Sequence, residues 1–323
     1  MRLIRTLAAL AGALILPLLL TSTAGGQEAA APAWAYPVMD PGFQRPPDDG
    51  RKHRVTGSDR EFTLTEINDA FNPPDWYPNE HPPMPQTVAH GRKPAVRACG
   101  QCHMPHGLGH PESSGLAGLP ADYIEQQMAD YAAGRRTSAV PARATVMLTI
   151  AAAATRAEVR EAADYFSRLK ASKWIRVVES DTVPTTYVGA GNMRHATPNG
   201  GAEPIGQRII EIPENSELAE LRDSHSSFVA YVPVGAIKRG AALVGADSNG
   251  KMRCAGCHGP DLKGVGQTPA LAGRSPIYLA RQLMDFQRGA RKGVYASLMA
   301  DSVEKLNERD IIDITAYLAS LAP

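Results

Sequence analysis

The chain has 323 residues, with 34 basic residues against 33 acidic ones, too long for one small domain and suited to two or three. So even a charge balance offers no broad attraction to nucleic acid or anionic lipid and argues against a phosphate-contacting binder. The four cysteines, Cys99, Cys102, Cys254 and Cys257, form two C-x-x-C pairs, each followed at once by histidine.

Residues 1–24 read as a secretory leader. Arg2 and Arg5 form a basic start, Leu7 to Leu20 an apolar run, and Ser22, Thr23 and Ala24 a small-residue cleavage site. The run contains Pro17 and is short of the roughly 20 residues that cross a bilayer. Cleavage after Ala24 and export into a bacterial periplasm are expected; a retained membrane anchor is the alternative. Loss of Arg2 and Arg5 with no acid tips the mature chain slightly acidic.

Residues 25–87 hold 11 of the 26 prolines, which rules out long helices and central strands there. The same stretch holds seven of the nineteen aromatic residues, among them Trp34, Phe43, Phe71, Trp76 and Tyr77. A disordered tether is poor in such residues. The expectation is an extended arm wrapped on the first domain, with one short helix at about 64–71 stopped by "NPP".

Residues 99–134 align with 254–289 without a gap at a shift of 155, and twelve of the 36 positions are identical. Beyond the C-x-x-C-H motif these include Pro105/Pro260, Leu116-Ala117-Gly118/Leu271-Ala272-Gly273, Tyr123/Tyr278, Gln127/Gln282 and Gly134/Gly289. After a three-residue length difference the register resumes, pairing Met147 with Met299 and Tyr165 with Tyr317. This is an internal duplication. Tyr123 to Gly134 and Tyr278 to Gly289 read as helices stopped by glycine. The last helix of copy one is expected to start at Thr155, with Glu158 completing a capping box. Its stripe Val159, Ala162, Phe166 and Leu169 matches Ile311, Ile314, Leu318 and Leu321 of copy two, whose helix starts near Asn307. Spacings of three and four place each stripe on one buried face.

Residues 171–232 match neither copy. "IRVVE", "QRIIEI" and "FVAYV" have strand-like composition, and "GAGNMRHATPNGG" must loop. A small sheet or interdomain clasp is expected.

C-x-x-C-H is the signature of covalent c-type heme attachment. Cysteines three apart on a helical turn share a face, so both thiols reach the two vinyl groups of one porphyrin, and the next residue aims an imidazole at the iron. His103 and His258 are therefore the expected proximal ligands. A four-cysteine zinc site spaces its pairs about 15–20 residues apart, far closer than here. A redox dithiol expects a β-α-β setting, and none is legible.

The sixth ligand must lie elsewhere in each copy. Met104 adjoins His103 and cannot reach the opposite face. Met128 aligns with Leu283, so copy two would lack its counterpart. Met147 alone aligns with a methionine, Met299, each on a short turn before the last helix. A methionine at such a place often only fills core; its recurrence in both copies favours ligation. His81 and His90 are the alternative ligands in copy one. His106 aligns with Asp261 and His110 with Val265. Neither is required by the repeat, and both are expected to face solvent or bond nearby backbone. His53, His195 and His225 read as structural.

Two C-x-x-C-H copies, each with a downstream methionine before a C-terminal helix ("DIIDITAYLASL" in copy two), resemble class I cytochromes c. The tandem arrangement is similar to the diheme cytochromes of the c-four type. The resemblance covers about residues 88–170 and 233–323. It implies a mainly α chain: leader 1–24, arm 25–87, cytochrome c domain 88–170, loop and β-containing insert 171–232, cytochrome c domain 233–323. It further implies two covalently attached heme c groups and periplasmic electron carriage between redox partner proteins, with no nucleic acid involved. A membrane-bound oxidase or a dehydrogenase is the kind of partner expected. In this family a proline eleven residues past the proximal histidine accepts an imidazole hydrogen bond through its carbonyl. Pro269 fits, whereas Ser114 departs from the pattern in copy one.

His/Met ligation raises a heme's reduction potential, so one-electron transfer is the expected function. Two alternatives stay open. One is a heme c subunit of a larger dehydrogenase or oxidase complex. The other is a diheme peroxidase or thiosulfate-oxidising enzyme with one iron open or differently ligated, copy one being the suspect.

Overall fold

The computed structural model describes residues 30–245 and 254–323. The expected leader lies outside them. The described residues are mainly helical, with a small β insert. Among them, no helix is long and apolar enough to cross a membrane.

The arm runs from residue 31 with two single-turn helices, α1 (Leu64–Ile67) and α2 (Gln86–Ala89). Thr63 and Glu66 form a capping box that starts α1. Asn68 ends the helix by turning its amide back onto the Leu64 carbonyl at 2.8 Å, before the two prolines are reached. That is why α1 is shorter than expected. The arm also does not confine itself to copy one. Trp34, Ala35 and Tyr36 are buried in the core of copy two with Ile277, Ala280, Met284 and Ile311. The Trp34 indole donates to Glu308 at 2.5 Å and the Tyr36 hydroxyl to Asp285 at 2.9 Å. From Met39 the arm turns to the insert, with Met39 N donating to the Asn192 side-chain oxygen at 2.9 Å and Asp40 N to the Val188 carbonyl at 3.0 Å, and further on it packs Trp76 and Tyr77 around Leu221.

Copy one contains α3 (Gly100–His103), α4 (Ala121–Ala132), α5 (Thr145–Ala153) and α6 (Arg156–Arg168). Gly134 sits two residues past α4 at φ +66°, a conformation glycine adopts without strain. Thr155 and Glu158 close the expected capping box on α6, and Ala162, Phe166 and Leu169 are buried, with Val159 half-buried.

The insert is a small sheet. β1 (Ile175–Glu179) pairs in parallel with β7 (Phe228–Val232), which pairs antiparallel with β6 (Ile210–Pro213). Two further pairs are antiparallel: β2 (Thr182–Pro184) with β5 (Ala202–Pro204), and β3 (Thr186–Val188) with β4 (Arg194–Ala196). β4 lies inside the glycine-rich stretch expected only to loop. Short α7 (Ser216–Glu220) separates β6 from β7.

Copy two comprises α8 (Ala236–Val244), α9 (Cys254–His258), α10 (Pro276–Gln287), α11 (Ala296–Val303) and α12 (Glu308–Ser320). Asn307 and Asp310 cap α12 reciprocally. Ile311, Ile314 and Leu318 are buried, while Leu321 packs half-buried against the same core. Gly240 of α8 meets α12 closely: a Cβ there would lie 1.9 Å from the Asp313 carbonyl oxygen. In copy one the matching helix is cut to the single turn of α2, because Pro82, Pro83 and Pro85 bar helix before it.

The copies meet through their own repeated residues. Arg136 and Arg291 form an antiparallel β-bridge. Thr137 N donates to the Ala290 carbonyl at 2.8 Å and Lys292 N to the Arg135 carbonyl at 2.6 Å, the same bond seen from each copy. The Arg136 guanidinium donates to Gln127 and Gln282 at 3.0 and 3.1 Å, and that of Arg291 donates to the same two oxygens at 2.7 and 3.2 Å. Nearby, the buried Glu211 is held up to about 8 by loss of water, despite bonds from Ser275 and Ile277. Burial likewise raises Glu112 to about 7, against the pull of Arg281 and Arg143.

Two consequences are measurable. Gly240→Ala jams α8 against α12 and is expected to cost about 1–3 kcal/mol, read as a lower denaturation midpoint. Glu112 and Glu211 bind protons more tightly folded than unfolded, so their contribution is full below the ordinary carboxylate range and lost as pH rises through about 7 and about 8. Glu211→Gln should flatten the fall in stability over that window, and an unchanged slope would contradict the assignment.

Candidate heme sites

Each C-x-x-C-H motif forms a helical turn, α3 in copy one and α9 in copy two. In copy one the His103 amide bonds back to the Cys99 carbonyl at 3.0 Å, which holds the two thiols on one side. The loop after each histidine is then folded the same way twice. Gly109 N donates to the His103 carbonyl and Gly264 N to that of His258, at 3.0 and 2.8 Å. The Leu-Ala-Gly repeat follows suit: Gly118 N reaches the Phe166 carbonyl of α6 at 3.1 Å and Gly273 N the Leu318 carbonyl of α12 at 2.9 Å.

That loop brings a carbonyl to each imidazole. His103 Nδ1 lies 2.8 Å from the Ser114 carbonyl oxygen, and His258 Nδ1 lies 2.8 Å from that of Pro269. A carbonyl can only accept, so Nδ1 is the donor and Nε2 carries the lone pair that a metal needs. The serine at 114 is thus no departure in function, since every residue has a carbonyl. Burial lowers the pKa of both imidazoles and keeps them neutral.

In copy one the cysteines point away from the rival chemistries. Burial pushes the Cys99 thiol up to about 12 and raises Cys102 as well. Zinc ligation and dithiol exchange both work through thiolates, which this setting disfavours. Among the described residues no three His, Cys, Asp or Glu side chains converge on a metal-sized site.

Met147 and Met299 lie within helices, α5 and α11, rather than on the turns expected. α5 packs on α4 and α11 on α10, so the two methionines occupy matching places in the two copies. Both are half-buried. Beside them the helices expose large apolar side chains, Val146 in copy one and the aligned Leu298 in copy two, surface of the kind an apolar macrocycle covers. The donor set therefore fits a heme: two thiols, a neutral imidazole with one nitrogen available, and a thioether.

The other histidines make identifiable contacts or stand exposed, although among the described residues the buried His106 Nε2 and His195 Nδ1 have no hydrogen-bond partner. His81 has both ring nitrogens engaged, with Asp75 at 3.1 Å and the Pro82 carbonyl at 2.9 Å. His90 is exposed at the end of α2. His106 Nδ1 accepts from Leu108 N at 3.0 Å, as expected, but its ring and that of His110 face Trp174 and Phe228 of the insert rather than solvent. Burial pushes both imidazoles down to about 3. His195 stacks on Tyr187, and His225 bonds Glu80 at 2.7 Å.

The family model for cytochrome c matches residues 237–322. A cytochrome c4 from Azotobacter vinelandii is 32% identical over 146 residues, 40% of this chain and 69% of that protein. The chain belongs to the cytochrome c family. Similar to it as well is a thiosulfate dehydrogenase electron acceptor from Thiomonas intermedia, 26% identical over 230 residues, 70% of this chain and 80% of that protein. A cytochrome c-554(548) from Halomonas halodenitrificans is 39% identical over 82 residues, 25% of this chain and 96% of that protein. This c-type cytochrome is a c4-like diheme protein that carries heme c and transfers electrons between redox proteins.

Because the acceptor for His103 is backbone, Ser114→Ala should leave the copy-one heme spectrum and midpoint potential unchanged. A shifted potential in that variant would show that the serine hydroxyl, not the carbonyl, matters.

Proposed function

We propose that this cytochrome is a periplasmic one-electron carrier whose two irons are both closed, each held between a histidine and a methionine. Cys99 and Cys102 attach one heme and Cys254 and Cys257 the other, through thioether bonds. His103 and Met147 ligate the first iron, His258 and Met299 the second. The observation that carries the reading is the repeated placement of Met147 and Met299 on the helix before the last helix of each copy. A ligand needed twice should recur at one aligned place, and His81, the main rival in copy one, has both nitrogens engaged.

The heme supplies a reversible one-electron couple. The protein keeps that couple simple. Each imidazole is fixed in one tautomer by its carbonyl, and each methionine is fixed on a packed helix, so neither ligand has to move when charge changes. Fixed ligands lower the reorganisation that accompanies electron transfer. With each iron held between a histidine and a methionine, no position would be left for a peroxide or thiosulfate to bind iron, which favours carriage over catalysis.

We further propose the domain division 25–87, 88–170, 171–232 and 233–323 after a cleaved leader of 1–24, and a dehydrogenase as electron donor. Two relatives support that donor class by their names, the thiosulfate dehydrogenase electron acceptor and a cytochrome subunit of sulfide dehydrogenase from Chlorobaculum tepidum.

Methionine sulfur on ferric heme gives a weak near-infrared absorption band. Met147→Ala and Met299→Ala should each remove half of it and lower the potential of one heme only. A band untouched by Met147→Ala would overturn the copy-one ligand. Rapid carbon monoxide binding by the reduced wild-type protein would overturn the carrier in favour of an enzyme.

A further inference from the structure

The two attachment turns are equivalent in sequence but not in surroundings. In copy one the turn is roofed by the arm and the insert together. Ala98 N donates to the Ala70 carbonyl of the arm and Cys99 N to that of Thr87 in α2. Gly100 is buried, and a Cβ on it would lie 3.0 Å from the Val88 carbonyl oxygen and 3.8 Å from the Pro73 ring. Gln101 is 7% exposed. From the insert, the Arg222 guanidinium donates to the Gln101 carbonyl at 2.6 Å. With its amide turned to satisfy its neighbours, the Gln101 side chain accepts from Arg222 at 2.8 Å and donates to the Asp69 carbonyl at 3.3 Å. One arginine thus bonds the middle of the turn from both its backbone and its side chain. It is held there at φ +58°, a conformation that a non-glycine residue adopts only when its neighbours impose it.

The roof is fastened beyond Arg222. Trp76 of the arm donates its indole N–H to the Leu221 carbonyl at 2.8 Å. The Tyr77 hydroxyl meets Asp223 at 3.1 Å, and its ring stacks on His225 at 3.7 Å between centroids. His225 in turn bonds Glu80 at 2.7 Å. Arm residues 76–80 and insert residues 221–225 therefore form one interlocked piece lying over the copy-one turn.

The middle of the copy-two turn, by contrast, is exposed. Gly256, the counterpart of Gln101, is exposed, and a Cβ built on it would meet no described atom within 4 Å. Val265 stands 60% exposed on the loop that follows.

We propose that the arm and insert close the attachment face of copy one, with Arg222 as the latch, so that electrons enter and leave the protein through the attachment face of copy two. The inference rests on the heme attachment set out under Proposed function. A one-electron donor is oxidised by one electron as the copy-two iron goes from ferric to ferrous. That iron would return to ferric as the same electron reduces the copy-one iron, and the electron would leave by the reverse path to a one-electron acceptor at copy two, so that no bond forms or breaks and no group is released. Copy one then works as the sheltered member of the pair, reached from within the protein.

The test is the accessibility of each heme in the intact, fully reduced protein, which is diamagnetic. A neutral gadolinium chelate added to the solution broadens proton signals in proportion to their approach to solvent. The thioether protons of copy two are expected to broaden several-fold more than those of copy one. Arg222→Gln should raise the copy-one broadening toward the copy-two level while leaving copy two as it was. Equal broadening of both sets in the wild-type protein would overturn the proposal, whether or not the variant folds. So would copy-one signals that broaden more than copy-two signals. If only one set of thioether signals is present at all, the two-heme attachment fails instead, and the failure is told apart from that of the port.

Discussion

A single hydrogen bond, from a ring nitrogen to a carbonyl eleven residues later, is the constraint on which each half of this protein depends. For it to form, the chain after His103 or His258 must double back at once and deliver Ser114 or Pro269 under the imidazole. The loop is held from both ends, by Gly109 or Gly264 onto the histidine carbonyl and by Gly118 or Gly273 onto the last helix. The result ties the attachment turn to α6 in one copy and to α12 in the other. The same bond fixes the tautomer, so a structural tie and a chemical requirement are met by one contact. Second-sphere partners of this kind orient a ligand and raise its basicity.

Duplication then supplied its own interface. Gln127, Gln282, Arg136 and Arg291 interleave so that each arginine bonds both glutamines, and the bridging backbone repeats the same pair of bonds. A two-fold related contact needs only one surface to be self-complementary. The arm and insert break that symmetry. The arm begins in the core of copy two, at Trp34 and Tyr36, and ends over copy one, so it spans the pair instead of wrapping one member. Two equal electron-transfer modules thus acquire unequal surroundings without any change in the motif.

Much of this was legible in the chain because it is local or repeated. The caps at Thr155 and Asn307, the glycine stops at 134 and 289, and the buried stripes of the last helices all follow from neighbours within a few residues. The identity of Gln127 and Gln282 was visible as well, but not its purpose, since a match between copies does not say that the copies touch there. Ser114 misled for a simple reason. Residue names describe side chains, and the bond uses backbone. Alignment paired the two methionines but placed them on turns, because helices α5 and α11 are short and lack side-chain N-caps to announce them. The buried carboxyls of Glu112 and Glu211 and the latch at Arg222 rest on contacts between segments 60 to 170 residues apart in the chain, which no local pattern encodes.

The central claim is that one heme is bonded covalently to each copy. Mass spectrometry of the denatured protein, intact and after cleavage between residues 171 and 232, tests it most directly. The account predicts an added mass of two hemes on the whole chain, with one on each fragment, because thioether bonds survive unfolding. A single heme, or two on the same fragment, would contradict it.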